Sequence, residues 1–266
     1  MQIPPPISLD YVREGGESYL EYTEFKNSAV HRVRLACIIQ MLRQAVMPGQ
    51  GRILEIGCGV GNIAMPIASL GYQITACDIH EPSILMARNR NLFSNLQFIH
   101  GSIESVNPGE YDAIILTEVL EHVNKYRNMV SLIAGSMKSN SILIITVPNG
   151  WGITEILCRP SYALKKWPIG VAVVKFIKSI LKTADLTTAN LCSPHVNFFT
   201  FRRLIKLFED YNLIIVSFHR CFFLWPLWET FLSKRSYPNG WPENDFKRSQ
   251  NLPPSVCAFW AFALQK

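Results

Sequence analysis

No two of the seven cysteines form a CxxC pair. Cys37, Cys58, Cys77, Cys158, Cys192, Cys221 and Cys257 stand singly, several of them inside apolar runs. An odd, scattered set argues against a disulfide framework or a zinc cluster and for reduced, buried thiols in a cytoplasmic protein. Long apolar runs are also missing. No stretch reaches the roughly 18 uncharged residues of a spanning helix; the nearest approaches are WPIGVAVVKFI (167–177) and CFFLWPLW (221–228). The opening residues, MQIPPPISLDYVREGG, hold no apolar segment of the secretory-signal kind. Charge is not concentrated either. The net +6 arises from 26 basic and 20 acidic residues with no dense basic run or basic-aromatic interleaving, so nucleic acid is unsupported as a partner. Internal repeats and low-complexity tracts are absent.

The 266 residues are 48% hydrophobic, enough to bury one large α/β core. Apolar positions at helical spacing predict a helix from Ser28 to Met47, closed by Pro48-Gly49. RILEIG (52–57), QITACDI (73–79), NLQFIHG (95–101), DAIILTE (112–118) and SILIITVP (141–148) read as buried strands, with helices expected at 60–70, 81–91 and 123–138. Near-continuous apolar strands alternating with helices predict a parallel sheet covered on both faces. Later come LIIVSF (213–218) and VCAFWAFAL (256–264), with a helix over 201–211. The expected organisation is one domain over 1–266. It has an N-terminal helical segment (1–48), a nucleotide-binding half (49–148), an inserted lid or substrate segment (149–193) and C-terminal strands (194–266).

ILEIGCGVGNIA (53–64) ends an apolar strand in three alternating glycines, an arrangement that brings a ligand to backbone N–H groups at a helix N-terminus. A phosphate loop needs Gly-Lys-Ser/Thr, and Gly61-Asn62-Ile63 excludes it. The dinucleotide fingerprint GxGxxG needs glycine where Asn62 stands, which disfavours an NAD-dependent dehydrogenase. Asp78, at the end of the second strand, suits the two hydroxyls of a ribose. It supports a nucleoside cofactor without choosing one.

ILEIGCGVGNIA, ACDIHEPSI, GSIESV and YDAIILTEVLEHV, in that order over residues 50–150, resemble the successive motifs of class I S-adenosylmethionine-dependent methyltransferases. The resemblance implies a Rossmann-like, seven-stranded, mostly parallel sheet with helices on both faces and an antiparallel last strand between the fifth and sixth. It implies S-adenosylmethionine as cofactor and S-adenosylhomocysteine as product. Carried over residue by residue, Glu55, Gly57, Cys58, Gly59 and Gly61 would form the loop around the methionine part. Asp78 would hold the ribose, with Ile79 beside the adenine. Ser102, where the family more often has Asp, and Ile103 would contact the adenine, and Thr117 and Glu118 would border the cofactor and substrate pocket. Methyl transfer is an in-line displacement, so alignment matters most and a base only where the nucleophile carries a proton.

TEVLEHV puts Glu118, Glu121 and His122 on one face if a helix starts near Glu118, or at the carboxyl end of a strand if it does not. Three roles compete. The acid-histidine pair can orient the loop, His122 can act as general base, or the three can bind a divalent metal. The metal option follows from likeness to the ubiquinone-biosynthesis O-methyltransferases and ranks below the others. SPHVNFFTFRRLIKLFEDY (193–211) resembles the stretch before the sixth strand in related small-molecule methyltransferases, which makes His195 a second-rank catalytic candidate with His122 and Glu121. Thr200 is placed to cap the helix that follows it. Lysines alternating with apolar residues over 167–182, and the aromatic run 221–228, suit either packing on the core or peripheral contact with a membrane. The expected activity is methylation of an oxygen on a small or lipid-like acceptor. A non-catalytic cofactor-binding or scaffold protein is the alternative of a different class. The sequence carries no signal for oligomeric state.

Overall fold

The computed structural model describes residues 18–25, 28–153, 155–156, 195–232 and 240–266. Seven strands form one sheet: β1 (Arg52–Ile56), β2 (Gln73–Asp78), β3 (Leu96–His100), β4 (Ala113–Thr117), β5 (Ile142–Pro148), β6 (Ile214–Cys221) and β7 (Phe259–Gln265). Their order is β3-β2-β1-β4-β5-β7-β6. The first five run parallel, and β7 lies antiparallel between β5 and β6. The expected Rossmann-like sheet is therefore the one formed.

Successive strand residues point to opposite faces, and both faces are covered, which is why the strand sequences read as unbroken apolar runs. Ile53, Ile115, Ile144 and Ala261 face a core shared with helices α1 (Ala29–Ala45), α2 (Ala64–Ser69) and α3 (Glu81–Arg90). Their neighbours Leu54, Ile114, Ile145 and Phe262 face a second core with α4 (Tyr126–Ser136) and α5 (Phe201–Asp210). Helix caps match the sequence. Ser28 Oγ accepts the His31 N–H at 3.1 Å and Thr200 Oγ1 accepts the Arg203 N–H at 3.2 Å.

Two helices lie where none was expected, α6 (Trp225–Leu232) and α7 (Trp241–Ser249). Cys221, Phe222 and Trp225 of the aromatic run are buried in the core, while Leu224 is exposed. The α7 start has a local signal in Pro242 of its first turn, whereas the α6 cap comes from elsewhere. The Asp245 carboxylate, on α7, accepts the N–H groups of Phe223, Leu224 and Trp225 at 2.8–3.0 Å. Glu229 of α6 in turn accepts Trp225 Nε1–H at 2.6 Å and the Val30 N–H of α1 at 3.2 Å. Carboxylates at helix N-termini are favoured by the helix dipole, and these two link α7 to α6 and α6 to α1. β6 extends past the expected end at 218 because its pairing with β7 resumes after an irregularity between Ile215 and Ser217. β7 starts later than expected, after a 3₁₀ turn at Pro254–Val256.

The five cysteines within the described residues are unpaired by disulfide and buried, as expected; Cys158 and Cys192 lie outside them. Among the described residues no helix is long and apolar enough to cross a membrane. The cationic stretch 171–182 lies outside them, as does most of the expected insertion.

Replacing Asp245 with Ala leaves the N–H groups of Phe223, Leu224 and Trp225, part-buried for the first two and buried for the third, without their acceptor. The expected loss is about 2–3 kcal/mol of unfolding free energy, measured by urea titration. A loss below about 0.5 kcal/mol, the range of an ordinary surface substitution, contradicts the cross-helix cap.

Candidate functional site

β1 ends in a turn whose three glycines all lie in the left-handed region, Gly57 at φ 76°, Gly59 at 52° and Gly61 at 84°. A side chain at Gly57 would sit 2.6 Å from Val119 Cγ2, and one at Gly61 would sit 2.7 Å from Phe98 Cζ. Gly59 differs, since a Cβ there would meet nothing within 4 Å. It faces open space. Its N–H donates to Asp78 Oδ2 at 2.7 Å, and Asp78 Oδ1 accepts the His80 N–H at 2.8 Å. The loop after β1 and the end of β2 are thereby tied together, as the register of Asp78 behind the glycines predicts.

Glu55 is buried beneath this loop, and its Oε2 has no hydrogen-bond partner. Burial first, and the Asp78 charge second, push its carboxyl up to about 8, against a hydrogen bond from the Ala64 backbone. Cys58 is buried with its thiol towards the Gly59 carbonyl, and burial raises its pKa. Ile79 is 73% exposed beside Asp78, an apolar platform at the strand ends. Ser102 hydrogen-bonds Glu104, and Ile103 is buried in the second core.

Thr117 ends β4 and Glu118 follows it. No helix begins at Glu118. The chain turns there, with Glu118 at φ 55°, and α4 starts only at Tyr126. A positive φ on a non-glycine residue costs energy and needs surrounding support. The Glu118 N–H donates to the Thr146 carbonyl at 3.1 Å, and Glu118 Oε1 accepts from Thr146 Oγ1 at 3.2 Å. Glu118 Oε2 pairs with Arg34 Nη2 of α1 at 3.0 Å. Thr117 Oγ1 is buried without a partner.

Glu121, His122 and His195 come together. Asn197 makes the junction: its Nδ2 donates to the Leu120 carbonyl at 3.0 Å and the Val123 carbonyl at 2.8 Å. The Val196 and Asn197 N–H groups both donate to the Glu121 carbonyl. Gly150, at the end of β5, lets segment 195–199 pass close, since a Cβ there would lie 2.5 Å from Phe198 Cα. The His122 and His195 rings meet edge to face, with centroids 4.9 Å apart. His195 Nδ1 lies 3.2 Å from Glu155 Oε2. Glu121 is fully buried with neither carboxylate oxygen hydrogen-bonded; burial and the Glu118 charge hold its pKa well above the usual range. Its nearest basic neighbour is His122 Nε2, at 3.9 Å.

Ligand atoms of Glu121, His122 and His195 lie within 4.8 Å of one another. Glu118, which the lowest-ranked metal option grouped with Glu121 and His122, is not among these three; its carboxylate is engaged by Arg34 and Thr146. Three residues escaped the sequence reading. Glu155 and Arg34 carry no local signal, since each matters only through a partner far along the chain. Asn197 had one, a polar residue inside the HVNFFT stretch.

Residues 30–217 match the family described as "Methyltransferase domain". The mitochondrial ubiquinone biosynthesis O-methyltransferase of Schizosaccharomyces pombe is 28% identical over 159 residues, 56% of this chain and 58% of that protein. The ubiquinone biosynthesis O-methyltransferase of Rickettsia akari is 33% identical over 128 residues, 47% of this chain and 46% of that protein. The chain thus spans about half the length of the curated relatives it matches. Among solved structures, magnesium protoporphyrin IX methyltransferase from Synechocystis with bound SAH aligns with TM-score 0.52. It is 14% identical, over 97% of this chain and 91% of its own. An S-adenosylmethionine-dependent methyltransferase from Archaeoglobus fulgidus aligns with TM-score 0.53 at 17% identity, over 94% and 100%. Fold and motif order define a class I methyltransferase. The chain belongs to the methyltransferase-domain family, and S-adenosylmethionine is its cofactor.

The residues present fit such a group. Gly59 leaves space a side chain would fill, and the unpartnered Glu55 Oε2 suits a cationic ligand. A carboxyl raised from 4.5 to about 8 by folding contributes stability below pH 4.5 that is lost as pH rises towards 8. Glu55→Gln abolishes this loss. In the unliganded protein, the variant's stability relative to wild type is expected to increase between pH 5 and pH 8, by at most about 1.4 kcal/mol per pH unit. Urea unfolding at the two pH values measures it; an unchanged difference contradicts the buried, neutral carboxyl.

Proposed function

We propose that the protein methylates an oxygen of a small or lipid-like acceptor, with His195 as the proton acceptor and Glu155 as the residue that orients it. The observation that carries this reading is the His195–Glu155 contact at 3.2 Å, with His122 packed against the same ring. A carboxylate on Nδ1 fixes the tautomer that leaves Nε2 able to take a proton. The setting supports it. The two histidines stand at the carboxyl ends of β4 and β5, where open α/β sheets bind ligands, and exposed Trp151, Ile153 and Val196 offer apolar contact nearby.

In this reading Glu55, Gly57, Cys58, Gly59 and Gly61 hold the methionine end of the cofactor and Asp78 the ribose, with Ile79 and the backbone at Ser102 and Ile103 beside the adenine. Thr117 and Glu118 form the border with the acceptor. Bound S-adenosylmethionine supplies a methyl group already activated by its sulfonium. The chain's own work is to align the acceptor oxygen, exclude water and take the hydroxyl proton onto His195. The curated relatives named as ubiquinone biosynthesis O-methyltransferases support the oxygen acceptor, and residues 149–193 are proposed to cover it and select it.

His195→Ala is expected to lower kcat by about 10²- to 10⁴-fold while S-adenosylhomocysteine affinity stays within about twofold. Glu155→Gln is expected to lower kcat less and shift the pH-rate profile. A screen of quinol, catechol and lipid-linked acceptors provides the substrate. Equal loss of cofactor binding in His195→Ala would assign that residue a structural role instead.

A second reading has one observation in its favour, the convergence of Glu121, His122 and His195 within 4.8 Å. A divalent cation there would neutralise the buried Glu121 and polarise the acceptor oxygen. It predicts activity lost to EDTA and restored by Mg²⁺ or Zn²⁺, with a metal-dependent rise in Tm. Activity and Tm indifferent to EDTA exclude it.

A further inference from the structure

The glycine loop has little shape of its own. Gly57, Gly59 and Gly61 all lie at positive φ, and glycine there gives up more conformational freedom on ordering than other residues. Its N-terminal half is held by β1, by Asp78 and by close packing of Gly57 on Val119. The C-terminal half leads into α2, which is only six residues long and whose N-cap residue, Ile63, makes no side-chain cap. Besides the turn closed by the Gly61 N–H on the Cys58 carbonyl at 2.9 Å and the packing of Gly61 on Phe98, a further tie holds it.

That hold comes from Asn62. Its Oδ1 accepts the Glu24 N–H at 3.0 Å and the Thr23 hydroxyl at 3.4 Å. Thr23 Oγ1 also lies 2.9 Å from Nε2 of the buried His31 in α1, whose ring N–H donates to it when the Thr23 hydroxyl is given to Asn62. Burial keeps this ring neutral, and its one N–H is enough to serve Thr23 while the Thr23 hydroxyl serves Asn62. Segment 18–25 is anchored independently at both ends of its contact. Tyr19 and Leu20 are in the core, the Glu24 carboxylate pairs with Arg90 of α3 at 3.0 Å, and the Tyr22 ring meets Phe93 at 4.8 Å.

We infer that Asn62 is a positioning residue, which fixes the exit of the glycine loop by fastening it to Thr23 and Glu24 of segment 18–25 and, through Thr23, to His31 of α1. The inference rests on the proposal that this loop holds S-adenosylmethionine. It explains the departure at position 62. A glycine there would complete the GxGxxG spacing but carry no side chain to make the tie. Asn62 does not touch the reacting atoms in this scheme; it acts through the loop.

Three variants test it. Asn62→Gly completes the dinucleotide spacing and removes the tie. Asn62→Asp keeps the Oδ1 acceptor. Thr23→Val cuts the junction from the other side, outside the loop. Hydrogen exchange of the unliganded protein reads the loop directly, and calorimetry reads S-adenosylhomocysteine affinity. Exchange of the amides from Cys58 to Gly61 is expected to speed up about tenfold in Asn62→Gly and measurably in Thr23→Val, with the amides of β1 unchanged. Affinity is expected to fall by about tenfold or more in Asn62→Gly, less in Thr23→Val, and by no more than about threefold in Asn62→Asp. Equal loop exchange and equal affinity in Asn62→Gly or Thr23→Val and wild type overturn the inference. If wild type itself does not bind S-adenosylhomocysteine, the cofactor assignment of the loop falls, while the exchange result still decides whether Asn62 holds its shape.

Discussion

The Asp78 carboxylate takes the Gly59 N–H on one oxygen at 2.7 Å and the His80 N–H on the other at 2.8 Å, and the site depends on that double acceptance. It folds the loop after β1 back across the end of β2, so that a strand-end acid and a bare stretch of backbone share one wall. Without it, three glycines at positive φ would have no reason to keep one conformation. With it, Gly57 seats against Val119 and Gly61 against Phe98, contacts so close that neither position could carry a side chain. Glu55 below is left buried and neutral at the pH where most proteins work, a charge held in reserve for a cation.

The second half of the site is built by a different device. β4 is followed by Glu118 at φ 55°, and that strain is supported by Thr146 on the neighbouring strand and Arg34 on α1. The turn that follows presents Glu121 and His122, and Asn197 carries His195 to them across more than seventy residues of chain. Val119 is where the halves touch, since it packs on Gly57 while its neighbours form the histidine cluster. A shift in the turn would therefore reach the glycine loop through Val119 as well as through the paired strands β1 and β4. Alignment between two ligands is what an in-line transfer most needs, and one shared contact is an economical way to obtain it.

Much of this was legible in the sequence because it is local. The parallel sheet follows from apolar runs such as IILT and LIITV, buried on both faces, and the loop from three glycines with Asp78 in register. Thr200 announced its helix because a cap sits next to what it caps. What escaped was made of long-range pairs. The α6 N-terminus is capped by Asp245, twenty positions downstream of Trp225, so nothing near the helix start announces it. Arg34 and Glu155 matter only through Glu118 and His195, and a lone charged residue on a helix or loop gives no hint of such a partner. TEVLEHV was ambiguous for a related reason. Its spacing fits a helical face, and only the backbone at Glu118 decides that the chain turns instead.

In the proposed function the loop between β1 and α2 receives a sulfonium nucleoside and not a dinucleotide. Calorimetric titration of the wild-type protein with S-adenosylhomocysteine and, separately, with NAD tests it most directly. Saturable binding of S-adenosylhomocysteine at one site per chain and no measurable heat with NAD are the expected results. Saturable binding of NAD with none for S-adenosylhomocysteine would contradict it.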